Sequence, residues 1–396
     1  MDTRQMAAMA EATRLTRQGR LVEATALIQQ TLAGPAAARR APHAPCAEEQ
    51  TGDAADRSCE PTPALRARER TPMRWLPSGR IPRLGTLPSR GAPAPHRAHR
   101  SAAPAAKRPA GRFGAFSYTN AAGTRAYRLY VPTGLTGGPV PLVVMLHGGT
   151  QDAATFASAT AMNHIAEHQT FLVVYPEQAP SANAGRYWNW FAPGHQCRGI
   201  GEPSLIAGIT RQVTDRYGAD ATRVYVAGFS AGGAMAAVMA EVYPDLYAAA
   251  GVHSGLPYAA AGDVASAFAV MKQGPPQPDR PPGRPRPLIV FHGDHDAVVA
   301  PANAAGLIDR VLAAGSADRR QDAVITGQVP AGHAYTRACY QDPAGTALAE
   351  RWTIHHGGHA WSGGTPHGSY TDPRGPDASA EFLRFFDEHP AVPPAR

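Results

Sequence analysis

The chain has 396 residues, of which 43% are hydrophobic, and carries a formal net charge of +7. That is room for one large folded domain plus an appendage. No apolar run approaches the roughly 20 residues of a membrane-spanning helix. The four cysteines, Cys46, Cys59, Cys197 and Cys339, stand far apart with no C-x-x-C pair, which argues against zinc or thioredoxin chemistry built on cysteine.

The charge is unevenly placed. Residues 1–111 hold 18 Lys and Arg against 9 Asp and Glu, whereas the rest of the chain holds 20 against 22. Residues after Met1 lack the apolar core of a secretory signal, so the expected compartment is cytoplasmic. Met6, Met9, Leu15, Leu21, Leu27, Ile28 and Leu32 recur at helical spacing and predict a helical hairpin over 1–34. Gly19 divides the hairpin, and Gly34-Pro35 stops it. The stretch Leu15-x-x-x-Gly19-Arg20-Leu21-x-Glu23-Ala24 faintly resembles half of a tetratricopeptide repeat, and one such unit cannot bury its own apolar stripe. Residues 35–111 are rich in Ala, Pro and Arg without periodicity and are expected to be a disordered basic linker. Such an arm fits contact with an anionic surface. It has no interleaved aromatic pattern for reading bases, so no specific nucleic-acid partner is expected.

From residue 112 to 392 the pattern becomes that of a catalytic-size α/β domain. Strands are expected at 114–118, 127–131, 141–146, 171–175, 223–229, 248–253 and 287–291. Helices are expected at 153–168, 203–217, 231–243, 303–313 and 377–388. Two early strands followed by strand–helix alternation predict a mostly parallel sheet covered on both faces.

The most informative residues are Gly228-Phe229-Ser230-Ala231-Gly232, between an expected strand and a small-residue helix. A G-x-S-x-G in strand–turn–helix context is a nucleophile elbow, with glycines where the two elements must pass closely. A serine hydroxyl needs a base, and an acid must hold that base in the right tautomer. In the α/β-hydrolase order the acid and then the histidine follow the serine. The acid is sought in the loop after strand 287–291, where Asp296 is the first choice and Asp294 the alternative. The base is His359, flanked by glycines, with His355 and His356 as neighbouring competitors. Two backbone amides should form an oxyanion hole: Ala231, next to the serine, and Gly149, in the His147-Gly148-Gly149-Thr150 loop. Trp188, Trp190 and Trp361 lie in or beside these segments and are candidate substrate-binding rings. The chemistry requires no metal and no organic cofactor.

Eight segments, in order, are LHGGTQ (146–151), YPEQ (175–178), WNWF (188–191), GEPSLIAGITRQV (201–213), RVYVAGFSAGGAMA (223–236), HSG (253–255), HGDHDAVV (292–299) and GGHAWSGG (357–364). Together they make residues 113–388 resemble the poly(3-hydroxybutyrate) depolymerase-type esterases. The resemblance implies an α/β-hydrolase fold, a serine esterase acting on short-chain hydroxyalkanoate polymer or oligomer, and Ser230, Asp296 and His359 as its triad with Gly149 at the oxyanion position. It also admits an extracellular location. Relatives carry cysteines where Gly149 and Tyr187 stand here, consistent with a disulfide between them. The same fold and triad also serve feruloyl and acetyl carbohydrate esterases. A reading of another class is an inactive hydrolase-fold scaffold tethered by its basic arm.

Overall fold

The computed structural model describes residues 111–276, 286–313, 320–342, 345 and 347–391. The hairpin expected at 1–34, and the linker expected at 35–111 apart from Gly111, lie outside the described residues.

A ten-stranded sheet organises the domain. Strands β1 (Arg112–Asn120) and β2 (Gly123–Val131) form an antiparallel hairpin at one edge. The central strands are β3 (Leu142–Leu146), β4 (Leu172–Pro176), β5 (Val224–Phe229), β6 (Ala249–His253) and β7 (Leu288–Gly293). The far edge is built by β8 (Arg320–Gln328), β9 (Ala334–Gln341) and β10 (Ala347–Ile354). The order is β1-β2-β4-β3-β5-β6-β7-β10-β9-β8, with parallel pairing from β4 through β10.

The central strands are buried on both faces, which is why they read as unbroken apolar runs. Leu142, Val144 and Leu146 of β3 join one core, while Val143 and Met145 join the other, as side-chain alternation along a strand requires. The first core is closed by α3 (Gly201–Tyr217), α4 (Ala231–Val242), α5 (Val264–Gln273) and α6 (Ala302–Ala313). The second is closed by α1 (Ala153–Thr160), α2 (Met162–Gln169) and α7 (Ala378–Asp387). Among the described residues no helix is long and apolar enough to cross a membrane.

Three features depart from the sequence expectation. The single helix expected at 153–168 is two, because Ala161 turns left-handed at φ 53°. The carbonyls that would continue the helix are taken from elsewhere: Thr365 N–H donates to Ala159 O at 2.9 Å and Ser379 Oγ to Thr160 O at 2.7 Å. Helix α5 was not anticipated, although Asp263 and Ser266 form a capping box at its start. Strands β8 to β10 were also missed. In β10 the buried Glu350 is paired with Arg337 and Arg384, so charges occupy inward positions and erase the apolar alternation that marks a strand.

Candidate active site

The elbow forms where β5 ends and α4 begins. Ser230 has φ 55° and ψ −120°, a sparsely populated conformation that costs about 1–3 kcal/mol. Its N–H donates to His253 O at 2.9 Å, pinning the turn to β6. A Cβ on Gly228 would run into the Gly232 carbonyl, and one on Gly232 into the carbonyls of Leu146 and His147. Glycine is therefore required at both places, and its absence of a side chain brings the end of β3 against the elbow.

The other two groups arrive from neighbouring parallel strands. Gly293 at the end of β7 pairs with Ile354 at the end of β10, so the loops that follow lie together. His359 Nε2 stands 3.0 Å from Ser230 Oγ, and His359 Nδ1 stands 2.7 Å from Asp296 Oδ2. Ser230 and the His359 side chain each keep 9% exposure, whereas the Asp296 side chain has none.

Asp296 is held by several donors. Its Oδ1 accepts the N–H groups of Val298 and Val299 at 2.9 and 2.8 Å. His292 Nε2, 2.9 Å from Val299 O, also lies 3.3 Å from Asp296 Oδ2. Burial by itself would raise the carboxyl, but the bonds from His292, His359 and Val299 and the His359 charge outweigh it and hold Asp296 well below the usual carboxylate range.

The competitors form a separate pair. His355 Nδ1 donates to Asp294 Oδ2 at 2.9 Å, and its Nε2 faces Thr336 Oγ1 at 2.8 Å rather than the serine. His356 N–H donates to Asp294 Oδ1 at 2.6 Å. Of the two aspartates and three histidines weighed from the sequence, only Asp296 and His359 line up with Ser230.

In the loop after β3, three N–H groups are satisfied within the protein. Gly148 N–H donates to Gln151 Oε1 at 2.9 Å, Thr150 N–H to Gly185 O at 2.8 Å and Gln151 N–H to Gly148 O at 3.3 Å. Among the described residues the N–H groups of Gly149 and Ala231 meet no protein acceptor, and Ala231 opens α4, where the helix dipole favours negative charge.

Residues 125–326, over half of the chain, match the family described as esterase PHB depolymerase. The chain belongs to this family. The matched span contains Ser230 and Asp296 and ends before His359. A curated relative, poly(3-hydroxyalkanoate) depolymerase C of Paucimonas lemoignei, is 35% identical over 253 residues, covering 60% of this chain and 58% of the relative. A probable acetylxylan esterase A of Aspergillus fumigatus is 35% identical over 139 residues, covering 35% of this chain and 36% of the relative. The chain thus spans less than two thirds of these curated relatives. Among solved structures, an acetyl xylan esterase from Aspergillus awamori superposes with a TM-score of 0.54 at 21% identity, covering 69% of this chain and 99% of that one. The shared fold is the α/β-hydrolase.

Within this PHB depolymerase-type domain the three tryptophans are not where a substrate could touch them, which corrects the sequence expectation. Trp188 is fully buried and its Nε1 donates to His147 O at 3.1 Å. Trp190 is buried edge-on against Phe191. Trp361 packs among Phe156, His253 and Phe382 and donates to Ser379 Oγ at 3.1 Å. These rings hold loops in place. Among the described residues the exposed tyrosine rings are Tyr187 and Tyr370, at 44% and 48%. The ring of Tyr187 lies on Gly149, and that of Tyr370 stands 6.3 Å from Phe229, the residue before the serine. Strand-like alternation in Tyr187-Trp188-Asn189-Trp190, exposed then buried, was the signal that could have found Tyr187.

Two buried histidines also escaped the sequence reading. His147 Nε2 accepts Gln178 N–H at 3.0 Å while Nδ1 donates to Gly148 O at 2.8 Å. Burial pushes His147 down to about 4, against a smaller opposing effect of the Gly148 bond. His253 Nε2 accepts Ser362 N–H at 2.9 Å and so ties the His359 loop to β6. Burial, reinforced by the nearby His292 and His359, holds His253 well below the ordinary histidine value. Both rings are neutral struts. The motifs that contain them, His147-Gly148-Gly149 and His253-Ser254-Gly255, drew attention to their glycines instead.

Proposed function

We propose that this chain is a serine esterase hydrolysing short-chain hydroxyalkanoate esters, as polymer or oligomer, through an acyl-enzyme. His359 Nε2 takes the Ser230 proton as Oγ attacks the ester carbonyl. Asp296 holds the His359 Nδ1–H and stabilises the imidazolium. The Gly149 and Ala231 amides receive the developing oxyanion, and each such donor contributes roughly 100- to 1,000-fold in rate. His359 then protonates the leaving alcohol, and a water activated by the same nitrogen releases the acyl group.

The observation that carries the reading is the unbroken line from Ser230 Oγ to His359 Nε2 at 3.0 Å and from His359 Nδ1 to Asp296 Oδ2 at 2.7 Å. The choice of acyl group is supported by the family and by the 35% identity to the Paucimonas lemoignei depolymerase over 253 residues. The test is a panel of p-nitrophenyl butyrate, 3-hydroxybutyrate oligomers, acetylated xylan and feruloyl sugars, with Ser230→Ala as control. Oligomer cleavage that is lost on the order of a million-fold in Ser230→Ala is expected. Turnover of acetylated xylan or feruloyl sugars alone would move the assignment to the carbohydrate esterases, the second reading that the acetylxylan esterase similarity supports. A folded protein whose Ser230 takes no fluorophosphonate label would leave the scaffold reading.

A further inference from the structure

A second group of side chains meets on the two loops that carry the acid and the base. Asp294 and His295 come just before Asp296, and His356 comes three residues before His359. One ligand atom from each of Asp294, His295 and His356 lies within 4.8 Å of the other two. The His295 and His356 rings cross edge to face with centroids 4.8 Å apart. We propose that Asp294, His295 and His356 form a binding site for a divalent transition metal of the zinc type, which clamps the Asp296 loop to the His359 loop.

The donor set decides the kind of ion. Two imidazoles and one carboxylate are a common zinc set that leaves a fourth position for water. Magnesium and calcium prefer sites made of oxygen alone. The frame beneath the donors is already fixed. His295 N–H donates to Gly357 O and Asp294 N–H to Ile354 O, both at 3.0 Å. A Cβ on Gly293 would overlap the Gly357 carbonyl, so the loops are in backbone contact before any ion arrives.

Asp294 is oriented from behind. Its two oxygens accept from His355 Nδ1 and His356 N–H, and His355 is itself held by Thr336. A carboxylate oxygen has a second lone pair free for a metal, and such outer hydrogen bonds are what position a ligand. Donors on a tetrahedral zinc stand roughly 3.4 Å apart. The His295 side chain is 63% exposed and the His356 side chain is exposed as well, so modest ring rotations close the gap with the backbone unmoved. The cysteine pattern could not reveal this site, because its donors are split between two loops.

The test is calorimetric titration of the full chain with zinc chloride, with thermal unfolding in parallel. The comparison is a His295→Ala/His356→Asn double variant, asparagine being chosen because position 356 has φ 60° and asparagine tolerates that conformation. His295→Ala alone, at an exposed side chain, serves if the double variant fails to fold. Wild type is expected to take up zinc saturably and to gain about 5 °C in Tm at a hundredfold excess over Kd. The variant is expected to bind at least tenfold more weakly while keeping the metal-free Tm of wild type. Magnesium chloride is expected to shift neither protein. Equal zinc affinity in the variant, no zinc uptake by wild type, or an equal response to magnesium overturns the site.

Discussion

The ring of Tyr187 lies on the backbone of Gly149, filling the volume that any side chain at 149 would need. Here an aromatic ring and a bare backbone occupy the same place, and the ring backs the amide assigned to the oxyanion. Gly149→Ala should therefore displace Tyr187 and lower kcat by about 10- to 100-fold, less than the roughly 100- to 1,000-fold of a fully lost oxyanion donor because the amide is shifted rather than removed. In Gly149→Ala/Tyr187→Ala the clash is gone, and part of that loss should return. Equal kcat in the single and double variants would count against the coupling.

The Gly149→Cys/Tyr187→Cys pair offers a complementary measurement. If the two loops lie as close as the ring contact requires, an oxidised bridge should form and raise unfolding stability by up to about 4 kcal/mol. Thiol titration before and after oxidation, with urea unfolding of both forms, reads this directly. Free thiols that persist under oxidising conditions would contradict the placement.

Asp296→Asn should keep the fold but lower kcat by about 10,000-fold, because an amide favours the wrong histidine tautomer. It should also change the acid limb of stability. A carboxylate held below its ordinary value of 3.8 contributes stability that is present above that pH and lost as pH falls toward the folded value. Wild type should thus lose stability below about pH 3.8 faster than Asp296→Asn. Parallel urea curves across that range would show the carboxylate to be unperturbed.

The buried neutral histidines act in a higher window. The unfolded chain protonates them near 6.5, while folded His147 does so only near 4 and burial holds folded His253 well below 6.5. Unfolding then takes up protons, so stability should fall as pH drops from 6.5, by about 1.4 kcal/mol per pH unit for each ring. His147→Gln, which can still accept from Gln178, should remove roughly half of that slope. A flat profile between pH 6.5 and 4 would mean that these rings are charged or loosely held.

Glu202 is the anchor of the loop that carries Tyr187. Fully buried, it accepts from Asn189 N and Nδ2 at 2.8 and 2.7 Å and from Gln178 Nε2, and it faces Arg125 at 3.6 Å. Glu202→Ala leaves the buried Arg125 guanidinium without its counter-ion and the Asn189 N–H without its acceptor. A loss of about 3–5 kcal/mol is expected in urea unfolding, and Glu202→Gln should lose less.

The elbow, the chain order of serine, acid and histidine, and the central parallel strands were all legible in the residues. Each depends on local chemistry: glycines where backbones must touch, and β-branched runs where both strand faces are covered. What only the fold decided was which groups meet. On paper Asp296 and His359 are the first choices and Asp294 and His355 their competitors, and the geometry separates the two pairs because β10 lies beside β7 and brings His359, not His355, to Ser230. The same holds for the tryptophans, which looked like substrate rings until neighbouring elements covered them. Periodicity reports that a side chain is buried or exposed; it carries no information on which distant side chain lies next to it. Strand β10 was invisible because Glu350 is buried with its arginine partners Arg337 and Arg384, a compensation between charges on three separate elements that no local window contains.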